Sequence, residues 1–323
     1  MRRSLALFAV LALMIHAPMS SAQVPADAAH PAAGGPSAPS GPAHTRPDSL
    51  HLPPEPGSFP RTWISGTDCA QDPAIQVHAY NDDFLILRQS MCLNYEAPFM
   101  YLIFGEERAI LFDTGANGNP PVASTVYREI DKWKLRNGVS DYQLVVAHTH
   151  GHGDHVANDD QFQGKPDTVV VSANLNAVKS AFDLPNWPDG ASEFDLGGRT
   201  LDILPIPGHQ SAHIMVYDAR TQLMLSGDSF YPGFLFISNF NQYRESIAKL
   251  VAFAADHPVT WILGDHIEMT STPGVAYPYG TSVQPDERAL PLTLAMLHEL
   301  DAALQAMRGN PHSEVHDDFI ITP

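Results

Sequence analysis

The sequence predicts an α/β layered domain. Apolar segments typical of strands occur in pairs joined by short turns, and segments with helical spacing lie between them. Side chains that suit metal ions follow directly after several of the strand segments. Strands in hairpins, helices between them and polar candidates at strand ends are together typical of a sheet covered by helices.

The predicted strands are apolar, β-branched or aromatic runs bounded by turn residues. Residues 99–104 and 109–112 form a hairpin around a turn that contains Gly105, and residues 215–218 and 223–228 form a second hairpin. The other predicted strands are alternating segments around Ile75 and Phe84, then residues 144–147, 168–172, 200–204 and 259–263.

Helical spacing of apolar residues predicts the intervening helices. The first covers residues 122–136 and ends at Asn137-Gly138, a pair that commonly terminates helices. The remaining predicted helices are residues 174–182, 243–255 and 291–307, the last with an apolar stripe that faces the core.

A dense cluster of candidate metal ligands follows the strand at residues 144–147. The run His150-Gly151-His152-Gly153-Asp154-His155 contains two glycines, which predict a tight loop at the strand end. His150 and His152 are one residue apart, so an extended backbone directs both the same way. Imidazole and carboxylate ligands suit zinc. A histidine-rich surface loop is the alternative, but the buried strand and distant partners favour a metal site.

This run matches the H-x-H-x-D-H motif, and with Thr149 the longer T-H-x-H-x-D-H form. The chain therefore resembles the metallo-β-lactamase superfamily. That resemblance implies a four-layer αββα sandwich, with two mixed sheets face to face, helices outside and metals at one edge. It also implies a metal-dependent hydrolase.

The resemblance extends to three later turns. Pro207-Gly208-His209, Gly227-Asp228 and Gly264-Asp265-His266 look like the family's P-G-H, G-D and final histidine turns, although the last has Asp265 where glycine usually precedes the histidine. The implied first metal site is His150, His152 and His209, and the implied second site is Asp154, His155 and His266. Asp228 and a hydroxide would bridge two Zn²⁺ ions, for which other divalent transition metals could substitute, and Asp113 would support the loop.

The acyl substrate remains open among several members of the superfamily. Ester, lactone and thioester hydrolases are favoured over a secreted zinc β-lactamase, because zinc β-lactamases generally lack the bridging aspartate that Asp228 resembles. Lactonases resemble this chain further through a tyrosine three residues after that aspartate, here Tyr231. Asp154 and Tyr231 are therefore the predicted catalytic residues. The alternative of another class is a non-catalytic metal-binding scaffold, which a missing ligand would indicate.

Composition limits the partners. The 323 residues carry 18 basic and 36 acidic side chains, a formal net charge of −18. Nucleic acids and anionic membranes bind basic surfaces, so neither is an expected partner. With 44% apolar residues the chain can fill a globular core. The resemblance implies a small-molecule acyl substrate as the partner.

The N-terminus predicts export to the periplasm or beyond. Residues 1–22 combine Arg2 and Arg3, a short apolar run and small residues before Gln23, which is typical of a signal peptide. Residues 23–60 are rich in Pro, Ala and Gly and predict a disordered linker, and residues 61–323 form the hydrolase domain. In an oxidising compartment Cys69 and Cys92 could pair or could remain buried thiols.

Overall fold

A six-stranded sheet forms the N-terminal half of the domain. The computed structural model describes residues 54–323, which lie in one compact unit. The strands occur in sequence order across this sheet: β1 (Ile75–Asn81), β2 (Phe84–Gln89), β3 (Phe99–Phe104), β4 (Arg108–Phe112), β5 (Gln143–Ala147) and β6 (Thr168–Val170). Strands β1 to β4 are antiparallel, whereas β4, β5 and β6 run parallel. The carboxyl ends of β4 and β5 therefore meet at one edge.

A five-stranded sheet follows. It consists of β7 (Ser192–Asp195), β8 (Thr200–Pro205), β9 (Ile214–Asp218), β10 (Leu223–Gly227) and β12 (Trp261–Gly264), in the spatial order β12-β10-β9-β8-β7. Strands β10 and β12 are parallel neighbours, so their carboxyl ends also share an edge. Both sheets are mixed.

The two sheets pack face to face, and their alternating side chains divide between two layers. On β3, Tyr101 and Ile103 point into the core between the sheets, whereas Met100 and Leu102 point outward. On β8, Ile203 faces the same inner core and Leu204 faces outward. A period of two is the geometry of a strand that is buried on both faces.

Helices cover the outer faces. Helix α1 (Val122–Asn137) packs on the first sheet through Val126, Ile130 and Trp133. Helices α4 (Phe240–Asp256) and α5 (Leu294–Ala306) pack on the second sheet. The order helix, sheet, sheet, helix confirms the expected α/β class and the four-layer αββα sandwich.

Most predicted elements are present, with shifted ends. Helix α1 ends as expected, with Gly138 in the left-handed region at φ 70° and its N–H bonded to the carbonyl of Lys134. Helix α4 begins three residues earlier than predicted, because the Asn239 side chain caps it. Helix α5 begins at Leu294 behind the capping Thr293, and the helix predicted at 174–182 is α3 (Leu175–Ala181).

A small third sheet lies outside the sequence predictions. Strand β11 (Phe234–Phe236) pairs in parallel with β14 (Ile320–Thr322), which pairs antiparallel with β13 (Glu314–Val315). The C-terminal end of the chain is thereby placed against the segment that follows Asp228. Strand β7 was also not predicted.

Buried Arg199 connects the two large sheets. Its guanidinium donates to the Asp218 carboxylate at the end of β9, with Nη2 at 2.5 Å from Oδ2. It also donates to the backbone carbonyls of Asp83, in the turn between β1 and β2, and of Phe104, at the end of β3, at 2.8 and 3.0 Å. One side chain thus satisfies polar groups of both layers.

The start of the domain precedes residue 61. Phe59 lies in the predicted linker, yet its ring packs on Tyr80 and Trp261, with ring centroids 5.2 and 6.4 Å away. The predicted signal peptide and the rest of the predicted linker, up to residue 53, lie outside the described residues. Cys69 and Cys92 form a disulfide. Between residues 54 and 323, no helix is long and apolar enough to cross a membrane.

Candidate metal centre

Four chain segments converge at one edge of the sandwich. The loop after β5 contains the short helix α2 (Gly153–Val156), which turns the chain so that Asp154 and His155 face back toward His150. The β8–β9 connection supplies His209. The carboxyl ends of parallel strands β10 and β12 supply Asp228 and His266. The topology of the two sheets therefore brings all seven predicted ligand residues together.

The first ligand group consists of His150, His152, His209 and Asp228. Nδ1 of His152 lies 3.1 Å from Nε2 of His150 and 2.9 Å from Nε2 of His209. Oδ2 of Asp228 lies 3.6 Å from each of these two Nε2 atoms. Four potential ligand atoms thus surround one point.

The second ligand group consists of Asp154, His155, His266 and the same Asp228. Oδ2 of Asp154 lies 3.2 Å from Nε2 of both His155 and His266. Asp228 approaches these imidazoles at 3.4 Å through Oδ2 and 3.3 Å through Oδ1. The carboxylate of Asp228 is therefore shared by the two groups.

Both groups fit a tetrahedral ion. Ligand atoms at zinc distances of about 2.0–2.2 Å lie about 3.3–3.6 Å from one another, close to the observed separations. In the part of the chain that the structure describes, buried Nε2 of His155 and Oδ1 of Asp228 have no hydrogen-bond partner. Buried polar atoms without partners are unusual, and a bound cation would satisfy both.

Backbone and side-chain acceptors fix the imidazole rings. Nδ1 of His209 lies 2.7 Å from the Phe236 carbonyl oxygen, and Nδ1 of His266 lies 2.9 Å from that of Glu96. Each ring thus donates an Nδ1 hydrogen outward and presents Nε2 to the group. Such contacts hold metal-binding histidines in the required tautomer.

Asp113 organises the loop from beneath, as expected. Its buried carboxylate accepts hydrogen bonds from the backbone N–H and hydroxyl of Thr149 at 2.9 and 2.8 Å, and lies 3.1 Å from Nδ1 of His155. Burial by itself raises the pKa of Asp113, but the imidazoles of His155 and His148 reverse this effect and hold the pKa below its usual value.

Asp265, which stands where the family usually has glycine, is a further buried acid. Its Oδ2 accepts from the Thr149 hydroxyl at 3.1 Å, and burial and the neighbouring Asp113 raise its pKa. Gly264, one position before Asp265, has no room for a side chain. A Cβ at Gly264 would lie 2.3 Å from Cβ of Tyr231, so only glycine fits.

The two unassigned histidines near the loop have structural contacts. Nε2 of His148 lies 3.3 Å from Oδ2 of Asp159. The ring of His213 stacks on His150 with centroids 4.8 Å apart. A Cβ at Gly227, whose φ is 52°, would lie 2.6 Å from the His213 ring, which explains the glycine before Asp228. Burial lowers the pKa of His213 to about 3, so this ring is neutral.

Tyr231 lies beside the ligand groups, and its hydroxyl is hydrogen-bonded to a backbone carbonyl. The ring lies 5.5 Å from that of His266, and the hydroxyl donates a short hydrogen bond to the Phe234 carbonyl. Oε2 of Glu268 accepts from the Phe234 N–H at 2.8 Å. The hydroxyl would therefore have to leave the Phe234 carbonyl before it could make the predicted contact with a substrate.

A cleft of about 230 Å³ opens onto both groups. Beyond the ligands, its walls are Tyr231, Glu96, Phe236, Glu268 and Tyr279. The last four were not predicted. Phe236 and Glu96 act on the histidines through backbone carbonyls, for which a sequence carries no residue-type signal.

Two groups of histidine and aspartate that share one carboxylate, at the edge of an αββα sandwich, define a metal-dependent hydrolase. The chain belongs to the metallo-beta-lactamase superfamily, whose sequence profile matches residues 95–266.

Curated relatives include several hydroxyacylglutathione hydrolases, of which three are described here. The protein from Methylococcus capsulatus is 28% identical over 146 residues, which cover 44% of this chain and 54% of that protein. The Ruegeria pomeroyi protein is 30% identical over 57% of this chain and 66% of its own length. The Aeromonas hydrophila protein is 24% identical over a region that covers 71% of this chain and 76% of that protein. The chain thus spans about half the length of the first relative.

Among solved structures, a metallo-beta-lactamase from Pontibacter korlensis is similar. It has a TM-score of 0.45 and 17% sequence identity, and the match covers 72% of this chain and 99% of that one.

Proposed function

We propose that the protein is a two-zinc hydrolase that cleaves an acyl bond in an ester, lactone or thioester. The observation that carries this proposal is the position of Asp228, whose carboxylate lies within 3.6 Å of four imidazoles from both ligand groups. A carboxylate in this position can bind two cations at once.

Separate sets of residues would hold the two ions. His150, His152 and His209 would hold one ion, Asp154, His155 and His266 the other, and Asp228 both. When bound, the ions would polarise the acyl oxygen and lower the pKa of a water molecule to about 7. Asp113 and the carbonyls of Glu96 and Phe236 keep the imidazoles oriented.

The relatives favour a thioester among these substrates. The three relatives described above are named hydroxyacylglutathione hydrolases, and the acyl-sulfur bond that this name describes is therefore the first to test. A thioester is also chemically close to an ester or lactone, since all three pass through a tetrahedral carbon with a developing oxyanion.

Metal content and hydrolysis measured together test the proposal. We expect two zinc ions per chain, hydrolysis of at least one of a lactone, an ester and a thioester, loss of activity with a chelator and recovery with Zn²⁺. His150→Ala should lose activity, whereas His298→Ala, an exposed histidine on α5, should not. Hydrolysis that survives metal removal, or fully loaded protein that cleaves none of the panel, would overturn the proposal. Hydrolysis of a β-lactam alone would indicate the β-lactamase alternative.

We also propose that the protein is exported and that the mature chain begins near Gln23. The charged, apolar and small-residue pattern of residues 1–22 supports this, as does the Cys69–Cys92 disulfide, because disulfides persist in oxidising compartments. N-terminal sequencing of protein from the periplasm or the medium tests it. A cytosolic chain that retains Met1 would contradict it.

A further inference from the structure

An apolar cleft lies next to the metal centre, on the third sheet. It measures about 680 Å³, and its walls are formed chiefly by Phe234, Phe236, Tyr279, Val315 and Ile320. The strands β11, β13 and β14 supply all of these except Tyr279. We call this feature the apolar cleft. Half of it comes from residues 313–322, beyond the segment that matches the family profile.

The walls of the apolar cleft leave large apolar side chains exposed. Tyr279 is 64% exposed, Val315 60% and Phe236 40%. The Phe236 ring stacks on Phe234 and meets Tyr279 edge-on, each with centroids 6.1 Å apart. Contiguous exposed apolar side chains in a concave surface are typical of a ligand-binding groove.

The apolar cleft adjoins the cleft of the metal centre. Phe236 and Tyr279 line both clefts, so one molecule can reach from the ligand groups onto the apolar surface. The backbone of Phe236 is also part of the centre, because its carbonyl accepts from His209. The Phe236 backbone therefore orients a histidine of the first ligand group, while the Phe236 ring forms part of the wall of the apolar cleft.

The charges around the two clefts favour an uncharged occupant. The metal-centre cleft contributes Glu96 and Glu268, and the apolar cleft contributes no charged side chain. Among the described residues that line either cleft, none is lysine or arginine. In the apolar cleft an anionic group would find no cationic side chain, whereas a hydrocarbon group would gain from burial.

We propose that the apolar cleft binds the acyl group of the substrate, and that the enzyme prefers acyl groups with a hydrocarbon chain. This inference rests on the proposed acyl hydrolysis, since the carbonyl carbon must lie at the ligand groups while the chain lies on Phe236, Tyr279 and Val315. The C-terminal strands β13 and β14 thus determine specificity.

A homologous series of thioesters tests the proposal on the zinc-loaded protein. The probes are acyl thioesters of N-acetylcysteamine, an uncharged thiol, with straight chains from acetyl to octanoyl. We expect kcat/KM to rise about twofold to fourfold with each added methylene until the cleft is filled, because burial of one methylene in full is equivalent to about fourfold.

Val315→Asp should flatten this dependence on chain length, because it places a carboxylate in the cleft. Val169→Asp is the matched control: Val169 is 57% exposed on β6 and lines neither cleft, so the dependence should persist. Tyr279→Ser provides a second variant outside the small sheet, in case the first impairs folding.

The outcomes separate the two proposals. If the wild-type protein hydrolyses the acetyl and octanoyl thioesters equally well, the apolar cleft does not bind the acyl group, although the proposed hydrolysis stands. If the dependence is present but survives both Val315→Asp and Tyr279→Ser, the acyl group binds elsewhere and the inference is also wrong. If no thioester, ester or lactone is hydrolysed, the proposed function itself fails.

Discussion

Oδ2 of Asp113 lies 3.1 Å from Nδ1 of His155, and the same carboxylate holds the Thr149 backbone and hydroxyl. Asp113 follows β4, and the loop it supports follows β5, its parallel neighbour. Asp113 itself has a positive φ of 70°, a strained conformation for a residue other than glycine. The contact therefore joins two strand ends to one imidazole of the second ligand group.

Asp113→Ala should weaken metal binding at the second ligand group about 10–100-fold, because His155 loses the acceptor that orients its ring. Competition with a metal chelator measures the change. Asp160→Ala removes an exposed carboxylate close to the same loop and should leave the affinity unaltered. Equal affinities of Asp113→Ala and wild type would show that Asp113 only shapes the turn.

Asp228→Ala should reduce metal occupancy in both groups, because both lose a ligand. His150→Ala, which alters only the first group, should lose mainly one ion. The metal-to-protein ratio after dialysis measures both variants against an expected wild-type ratio of two. An Asp228→Ala protein that keeps one ion fully bound would contradict the shared role of this carboxylate.

Tyr231→Phe should lower turnover less than about tenfold, because the Tyr231 hydroxyl already donates to the Phe234 carbonyl. The variant should instead lose about 1 kcal/mol of stability with that hydrogen bond. Steady-state kinetics and denaturant unfolding measure the two effects. A loss of about 10²–10³ in turnover at unchanged metal content would show that the hydroxyl acts on the substrate after all.

Asp218→Asn should destabilise the protein by about 3–5 kcal/mol near neutral pH, because it leaves the buried Arg199 without its counter-charge. Urea unfolding measures this, and Asp131→Asn, an exposed site on α1, is the control.

The same substitution should matter less in acid. Burial raises the pKa of Asp218, but Arg199 outweighs burial and holds the pKa below its usual value. Stability from this pair is therefore present above the unfolded pKa of about 3.9, and is lost as the pH falls through the lower folded pKa. A difference between Asp218→Asn and wild type that stays constant into acid would contradict this assignment.

The sequence was sufficient for the elements with a long periodic pattern. Helix α1 and hairpin β3–β4 could be predicted because many side chains repeat the same preference over their length. The ligand residues could be predicted because imidazole and carboxylate are chemically distinctive, and because the resemblance supplied the distant partners of His150.

The small third sheet could not be predicted in this way. Strands β11, β13 and β14 have three, two and three residues, too few for a periodic pattern, and the pairing of β11 with β14 joins Phe234 to Ile320, 86 positions later. The direction of the Tyr231 hydroxyl is likewise a matter of tertiary contact. It depends on the Phe234 carbonyl, an acceptor that every residue type carries.

The Cys69–Cys92 disulfide constrains a segment that contacts the metal centre. Cys92 begins the segment that leads to Glu96, whose carbonyl fixes the ring of His266, and Cys69 anchors that segment to the chain before β1. While the cysteines are reduced, this anchor is absent and the acceptor for His266 is less constrained. The Cys69–Cys92 bond therefore supports, through the Glu96 carbonyl, the orientation of the His266 ring in the second ligand group.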